Sequence, residues 1–276
     1  MSLASEQKTQ MENAILDMIV CGMAEPRMVI IGCGGAGINI VGRMGGHFRG
    51  VPRIAVNTDL NGLMLSEADR KICIGKSITF NMDSGGFTEV ALKCAELAQD
   101  DLRSCLISKD VVFIVAGYGG GTGTGVAPYI AEMARDLGMV PFGIVVLPFS
   151  AETARREKAE EQAEELRKVT ESTITLDNDS LLKFGEIGLD AAFRVMDRMV
   201  VEIIRGITET MSRSYLSTLA DEIIAFQSGA TTAQFDNSHN HIPEGTAVAD
   251  SSLPPLAFPQ PSDQNLIESG GVFERF

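Results

Sequence analysis

From Met28 to Asp177 short runs of consecutive apolar residues, each closing on glycine, asparagine or another turn former, alternate with longer stretches whose apolar positions recur every three or four residues. Unbroken apolar runs of this length mark strands covered on both faces. Their alternation with helical periodicity marks βαβ units and a parallel sheet. Strands are predicted at Met28 to Cys33, Arg53 to Asn57, Lys71 to Ile74, Val111 to Ala116, Val140 to Leu147 and Thr173 to Leu176. The expected class is α/β, a Rossmann-like parallel sheet with helices on both faces. Ligands of such sheets bind beyond the carboxyl ends of the strands.

The pattern also divides the chain. Residues 1–24 form an expected N-terminal helical extension, with Met11, Ile15, Met18 and Ile19 on one face, either packed on its own domain or offered to a partner or a membrane surface, the last opposed by the few basic residues on its polar face. Residues 25–226 form the main domain. Within it Ser150 is the expected N-cap of a strongly charged helix, with Glu164 and Lys168 as an i,i+4 pair. Met196, Met199, Val200, Ile203, Ile207 and Met211 make the core stripe of a long helix packed on the sheet, and Leu216, Leu219, Ile223 and Phe226 a short helix after it. Beyond Phe226 the periodicity stops. Five of the ten prolines lie between Pro243 and Pro261, so residues 227–276 are expected to be a disordered tail. Its end, with Val272, Phe273 and Phe276, is either a docking motif for a partner protein or a featureless terminus.

Composition narrows the partners. The chain of 276 residues is 45% hydrophobic without an apolar stretch long enough to span a bilayer, and no leader opens it, so a cytoplasmic protein is expected. A net charge of −14 repels nucleic acid and anionic lipid. The five cysteines form no C-x-x-C pair and suggest a reducing compartment. His47 stands alone, while His239 and His241 lack the further ligands a metal site needs.

Two glycine-rich segments carry the chemistry. Gly119-Gly120-Gly121-Thr122-Gly123-Thr124-Gly125 follows the fourth strand directly. Small residues there let backbone N–H groups converge on a phosphate, and the next helix, expected to begin near Pro128, adds its positive end. Gly32-Cys33-Gly34-Gly35-Ala36-Gly37 follows the first strand and fits G-x-G-x-x-G, with Asp59 after the second strand; alone this would suggest NAD. A second phosphate loop, and no acid–base set suited to hydride transfer, fit a nucleoside triphosphate better. Gly75-Lys76-Ser77 is not a Walker A loop, because Arg70 stands where that motif needs glycine, and is expected to be a turn.

With Ala116-Gly117-Tyr118 before it and Val126-Ala127-Pro128 after it, the Gly119 to Gly125 segment resembles the signature loop of the tubulin and FtsZ family of GTPases, in its FtsZ branch. The likeness runs through several motifs in order, from about Met28 to Thr210. It implies GTP or GDP with Mg2+ as ligands, a cell-division or cytoskeletal task, and self-association of the filament type. It further implies that Gly34, Gly35, Ala36 and Gly37 cradle phosphates while Asn39 reaches the guanine or ribose, and that Asn57 and Asp59 lie near the phosphates and metal. Gly119, Gly120, Gly121, Thr122, Gly123 and Thr124 would hold the α- and β-phosphates. Glu152 would accept from the ribose and Arg156 pair with nucleotide oxygens. Asn178 and Asp197 would read the base, with Phe193 on its face; a carboxylate accepting from guanine N1–H and the 2-amino group selects against adenine.

Two departures from the family stand out. Asn81-Met82-Asp83-Ser84-Gly85-Gly86 replaces the usual glycine-alanine run near the γ-phosphate; Gly85 remains a candidate contact, and Asp83 brings a carboxylate there. The acidic loop that completes a neighbour's site, and the second domain after it, are not evident. Asp221 and Glu222 are either substitute catalytic acids or solvated helix residues. The expected function is thus an FtsZ-like GTP-binding protein with slow or partner-assisted hydrolysis, or alternatively a non-hydrolysing regulator or cap of such filaments.

Overall fold

Strands form where the apolar runs are unbroken. In the computed structural model, which describes residues 26–184 and 188–227, they are β1 (Met28–Cys33), β2 (Arg53–Asn57), β3 (Arg70–Cys73), β4 (Val111–Gly117), β5 (Val140–Leu147) and β6 (Ser172–Asp177). They make one parallel sheet in the order β3-β2-β1-β4-β5-β6. Place in the sheet accounts for composition. The central strands β1 and β4 read MVIIGC and VVFIVAG and are almost wholly buried, whereas the edges β3 and β6 read RKIC and STITLD. Charged and hydroxyl side chains at an edge leave its open hydrogen-bonding groups in water and discourage further strand pairing.

The helices are α1 (Gly34–Arg43), α2 (Leu60–Leu65), α3 (Thr88–Leu97), α4 (Gln99–Leu106), α5 (Thr122–Asp136), α6 (Thr153–Val169) and α7 (Leu189–Gln227), with a 3-10 turn at Asn178–Phe184. Side chains of one sheet face, including Val29, Ile31, Val112 and Ile114, share a core with Ala91, Leu102, Val126, Ile130 and Leu166 of α3 to α6. Those pointing the other way, Ile30, Phe113 and Ile144, are equally buried, and Phe113 stacks on Phe142 with centroids 5.4 Å apart. A smaller cluster joins Ile38 of α1 to Ala55, Leu63 and Ala68. The α/β class with a parallel sheet is therefore the fold. Its strand order reverses between β1 and β4, and the crevice beyond their carboxyl ends is where such sheets bind ligands.

Several local expectations are corrected. α5 begins at Thr122 and contains Pro128 well past its first four residues, so the glycine-rich loop is already its first turn; a proline there leaves the carbonyl four residues back, that of Thr124, without its helical donor. α6 starts at Thr153 with Glu152 as its N-cap residue, not at Ser150. Lys168 pairs with Glu165, and Glu164 with Arg167. The buried apolar residues of α7, among those whose burial is described, are Ala192, Met196, Val200, Val201 and Ile204, so Met199, Ile203, Ile207 and Met211 flank the buried stripe. Tyr215 to Phe226 is not a separate short helix, because α7 runs on to Gln227.

The chain divides into two compact units, Met1–Ser212 and Arg213–Phe276. Of the second, residues 213–227 are described, and they are helical. The N-terminal extension, the tail beyond 227, Cys21, His239 and His241 lie outside the described residues. No helix among the described residues is long and apolar enough to cross a membrane.

Candidate functional site

The crevice is built by backbone meeting backbone. Gly34 leaves β1 at φ +70, and a Cβ on it would stand 2.6 Å from the Gly123 amide nitrogen; a Cβ on Gly123 would stand 2.5 Å from the Gly117 carbonyl. Only glycine at both positions lets the starts of α1 and α5 approach this closely. Neither start is capped: Cys33 and Gly121, the N-cap residues, make no side-chain capping bond. Unpaired amides and the positive ends of two helices of ten and fifteen residues thus open on one crevice, an arrangement suited to a polyphosphate. Gly35, Ala36 and Asn39 are exposed on α1.

A chain of hydroxyls braces the neighbouring turns. Thr58 Oγ1 lies 2.9 Å from Thr122 Oγ1, which lies 3.2 Å from Ser84 Oγ, all three being buried. The Asn57 side chain accepts from the Thr58 amide at 2.9 Å. Asp59 caps α2, accepting from the amides of Asn61 at 3.0 Å and Gly62 at 3.1 Å. In the divergent loop Asp83 accepts from the Gly85 amide at 2.7 Å, and Lys158 of α6 donates to the Gly86 carbonyl at 2.9 Å. That loop packs on the signature segment, since a Cβ on Gly121 would stand 2.8 Å from the Phe87 nitrogen. Thr124 lines a different space, a cavity of about 250 Å³ bounded by residues such as Thr88, Pro128, Tyr129 and Gln162. Its Oγ1 has no hydrogen-bond partner.

The charged candidates are already paired. Glu152 meets Arg155 at 2.7 Å. Arg156 holds Asp177 through a fork at 2.7 and 2.8 Å, Glu160 at 2.6 Å and the Pro148 carbonyl at 3.0 Å. Those bonds raise the Arg156 pKa and hold the Asp177 carboxyl below its usual range. Asp197 is 8% exposed and bound by Arg43 of α1 at 2.5 and 2.9 Å. Phe193, one turn earlier, is exposed, and Asn178 opens the half-buried 3-10 turn. Asp221 and Glu222 lie in the final stretch of α7, where side chains are not described.

The sequence reading did not single out Arg43, Thr58 or Lys158. Arg43 stands one helical turn beyond Asn39 and Thr58 lies between Asn57 and Asp59, so spacing offered a cue for both. Cys33 is fully buried and its thiol is pushed up to about 12 by desolvation, which makes it an inert core residue. No group of three or more His, Cys, Asp or Glu that could hold a metal occurs among the described residues.

A parallel sheet with two open helix starts at its point of reversal defines a doubly wound α/β domain. Residues 27–186 match the Tubulin/FtsZ family, GTPase domain. The chain is 42% identical over 197 residues to cell division protein FtsZ 2 of Halobacterium salinarum, covering 71% of this chain and 50% of that protein. FtsZ 2 of Methanocaldococcus jannaschii is 41% identical over 190 residues, or 68% of this chain and 50% of that one. Among solved structures, the empty FtsZ dimer of M. jannaschii superposes with a TM-score of 0.65 at 31% identity, over 73% of this chain and 59% of that one. A GTPγS-bound CetZ2 protofilament from Haloferax volcanii, with a TM-score of 0.58 at 21% identity, covers 67% of this chain and 58% of that one and shares the fold. This chain belongs to the tubulin/FtsZ family. It spans about half the length of these curated relatives.

Proposed function

We propose that the crevice binds GTP or GDP with Mg2+ and that the chain is an FtsZ-type cytoplasmic protein of cell division or the cytoskeleton, hydrolysing GTP slowly alone and faster when a neighbouring subunit completes the site. One observation carries this reading: two uncapped helix starts, locked together by Gly34 and Gly123, face one crevice. Their amides supply fixed donors to phosphate oxygens and would stabilise charge that develops during phosphoryl transfer. Mg2+, when bound, would neutralise the phosphate oxygens, and the Asn57-Thr58-Asp59 turn is the protein side nearest in role. The face of α7 bearing Phe193 and Asp197 would take the base.

The slow rate follows from the described carboxylates. Asp59 caps α2, Asp83 caps its own turn, and Glu152, Asp177 and Asp197 are ion-paired. Each of these is already oriented by a protein donor, so we assign the water-orienting acid to a neighbour, with Asp221 and Glu222 presented by a second copy as the candidates. The same engagement of carboxylates favours a second reading, a non-hydrolysing regulator or cap of FtsZ-type filaments.

Phosphate release at increasing protein concentration, with sedimentation in GTP, separates the two. A turnover per molecule that rises with concentration supports sites completed between subunits, whereas a flat rate near zero supports the regulator. Nucleotide extracted from purified protein tests both: guanine nucleotide is expected, and NAD would overturn the reading.

A further inference from the structure

Arg43 is the last residue of α1 and lies 154 positions before Asp197, yet its Nε donates to Asp197 Oδ2 at 2.5 Å and its Nη2 to Oδ1 at 2.9 Å. The pair joins two faces. On α1, Ala36, Asn39 and Arg43 recur at helical spacing and are exposed; on α7, Asp190, Phe193 and Asp197 recur likewise, the first two exposed and Asp197 buried. The first series begins beside the phosphate-facing amides, and the second carries the exposed ring of Phe193.

We propose that Arg43 is a specificity-determining positioning residue, which fixes the plane of the Asp197 carboxylate so that both oxygens can accept from the edge of a guanine. The inference rests on the reading of the crevice as a guanine-nucleotide site. An aspartate's terminal torsion is soft, so Asp197 alone would present its oxygens over a broad range of planes. A guanidinium is a rigid planar fork, and engaging both oxygens locks their plane to its own. Each carboxylate oxygen has two acceptor directions; the fork occupies one on each and leaves one on each for the N1–H and 2-amino donors of guanine. Arg43 also supplies the countercharge. With Asp197 only 8% exposed, closing a neutral base over it without a partner would bury a lone anion. The opposite arrangement is a lock, in which guanine must displace Arg43 before it can bind, and it makes the opposite forecast.

The test measures GDP, IDP, ADP and inorganic pyrophosphate binding by calorimetry to the full chain and to Arg43→Gln and Arg43→Lys. Hypoxanthine keeps the N1–H and lacks the 2-amino group, adenine lacks both donors, and pyrophosphate reports the phosphate cradle alone. Arg43→Gln should lower GDP affinity about ten- to hundredfold, shrink the preference for GDP over IDP and leave pyrophosphate binding unchanged. Arg43→Lys, which keeps the charge and loses the fork, should recover little. An unchanged GDP to IDP preference in Arg43→Gln, full recovery in Arg43→Lys, or tighter GDP binding would each overturn the proposal. A wild-type chain that binds GDP and ADP equally would instead overturn the guanine reading itself.

A second measurement avoids any folding defect in the variants. In the wild-type chain, the Arg43 Nε–H resonance should stay protected from exchange when GDP is added. Its loss on saturation would mean that the fork lets go, and the proposal fails.

Discussion

Replacing Gly35 by alanine should stabilise the fold and weaken nucleotide binding, while the same change at Gly34 should destabilise the fold. Gly35 lies in α1, and a Cβ built on it meets nothing within 4 Å. Alanine there gains about 0.5–1 kcal/mol over glycine in a helix, or about 1–4 °C in Tm for a domain of this size. The open space is the crevice, however. A phosphate oxygen bound to these amides sits about 2.9 Å from a nitrogen, and a methyl group beside it would push the oxygen outward. Losing one hydrogen bond to a charged group forfeits about 1.5–3 kcal/mol, roughly ten- to hundredfold in Kd. At Gly34 the backbone sits at φ +70 and the added Cβ would stand 2.6 Å from Gly123 N and 2.9 Å from Gly123 Cα. About 1–2 kcal/mol for the left-handed backbone and about 1–3 for the overpacking give a loss of roughly 2–5 kcal/mol. Thermal unfolding without ligand and calorimetry with GDP read the two quantities separately. Wild-type GDP affinity in Gly35→Ala, or wild-type stability in Gly34→Ala, would refute the idea that backbone contact builds the crevice.

Thr122→Val removes the hydroxyl that joins Thr58 at 2.9 Å to Ser84 at 3.2 Å and should lower the unfolding free energy by about 1–3 kcal/mol. Thr124→Val, which deletes an oxygen without a partner, should be neutral or mildly stabilising in the same urea titration; equal losses at the two positions would contradict the hydroxyl-chain account. Asp177 should contribute pH-dependent stability. Its folded pKa is depressed, first by hydrogen bonds from Arg156, so the contribution is complete above about pH 4, the unfolded carboxyl value, and is lost as pH falls through the folded value. Asp177→Asn should flatten that acid limb of the urea midpoint, and an unchanged slope would assign it to other carboxylates.

Chain order and local composition were enough to foresee the sheet. Val111 to Ala116 has no polar position at which a solvent face could begin, so it had to be a strand buried on both sides. The glycine-rich segments were equally plain. Helix boundaries were less so: Pro128 looked like a start and lies inside α5, since burial of Val126, Ala127, Ile130 and Ala134 holds the helix through the one backbone bond that the proline removes.

The linear sequence determined which residues lie near the ends of β1 and β4, because strand periodicity and small-residue turns are local properties that each segment carries with it. Tertiary structure alone decided what those residues face. Gly34 touching Gly123, Thr58 reaching Thr122 and Arg43 closing on Asp197 join segments 89, 64 and 154 positions apart. Such contacts exist only after β1 and β4 pair and the helices settle against them, so no window of local sequence could specify them.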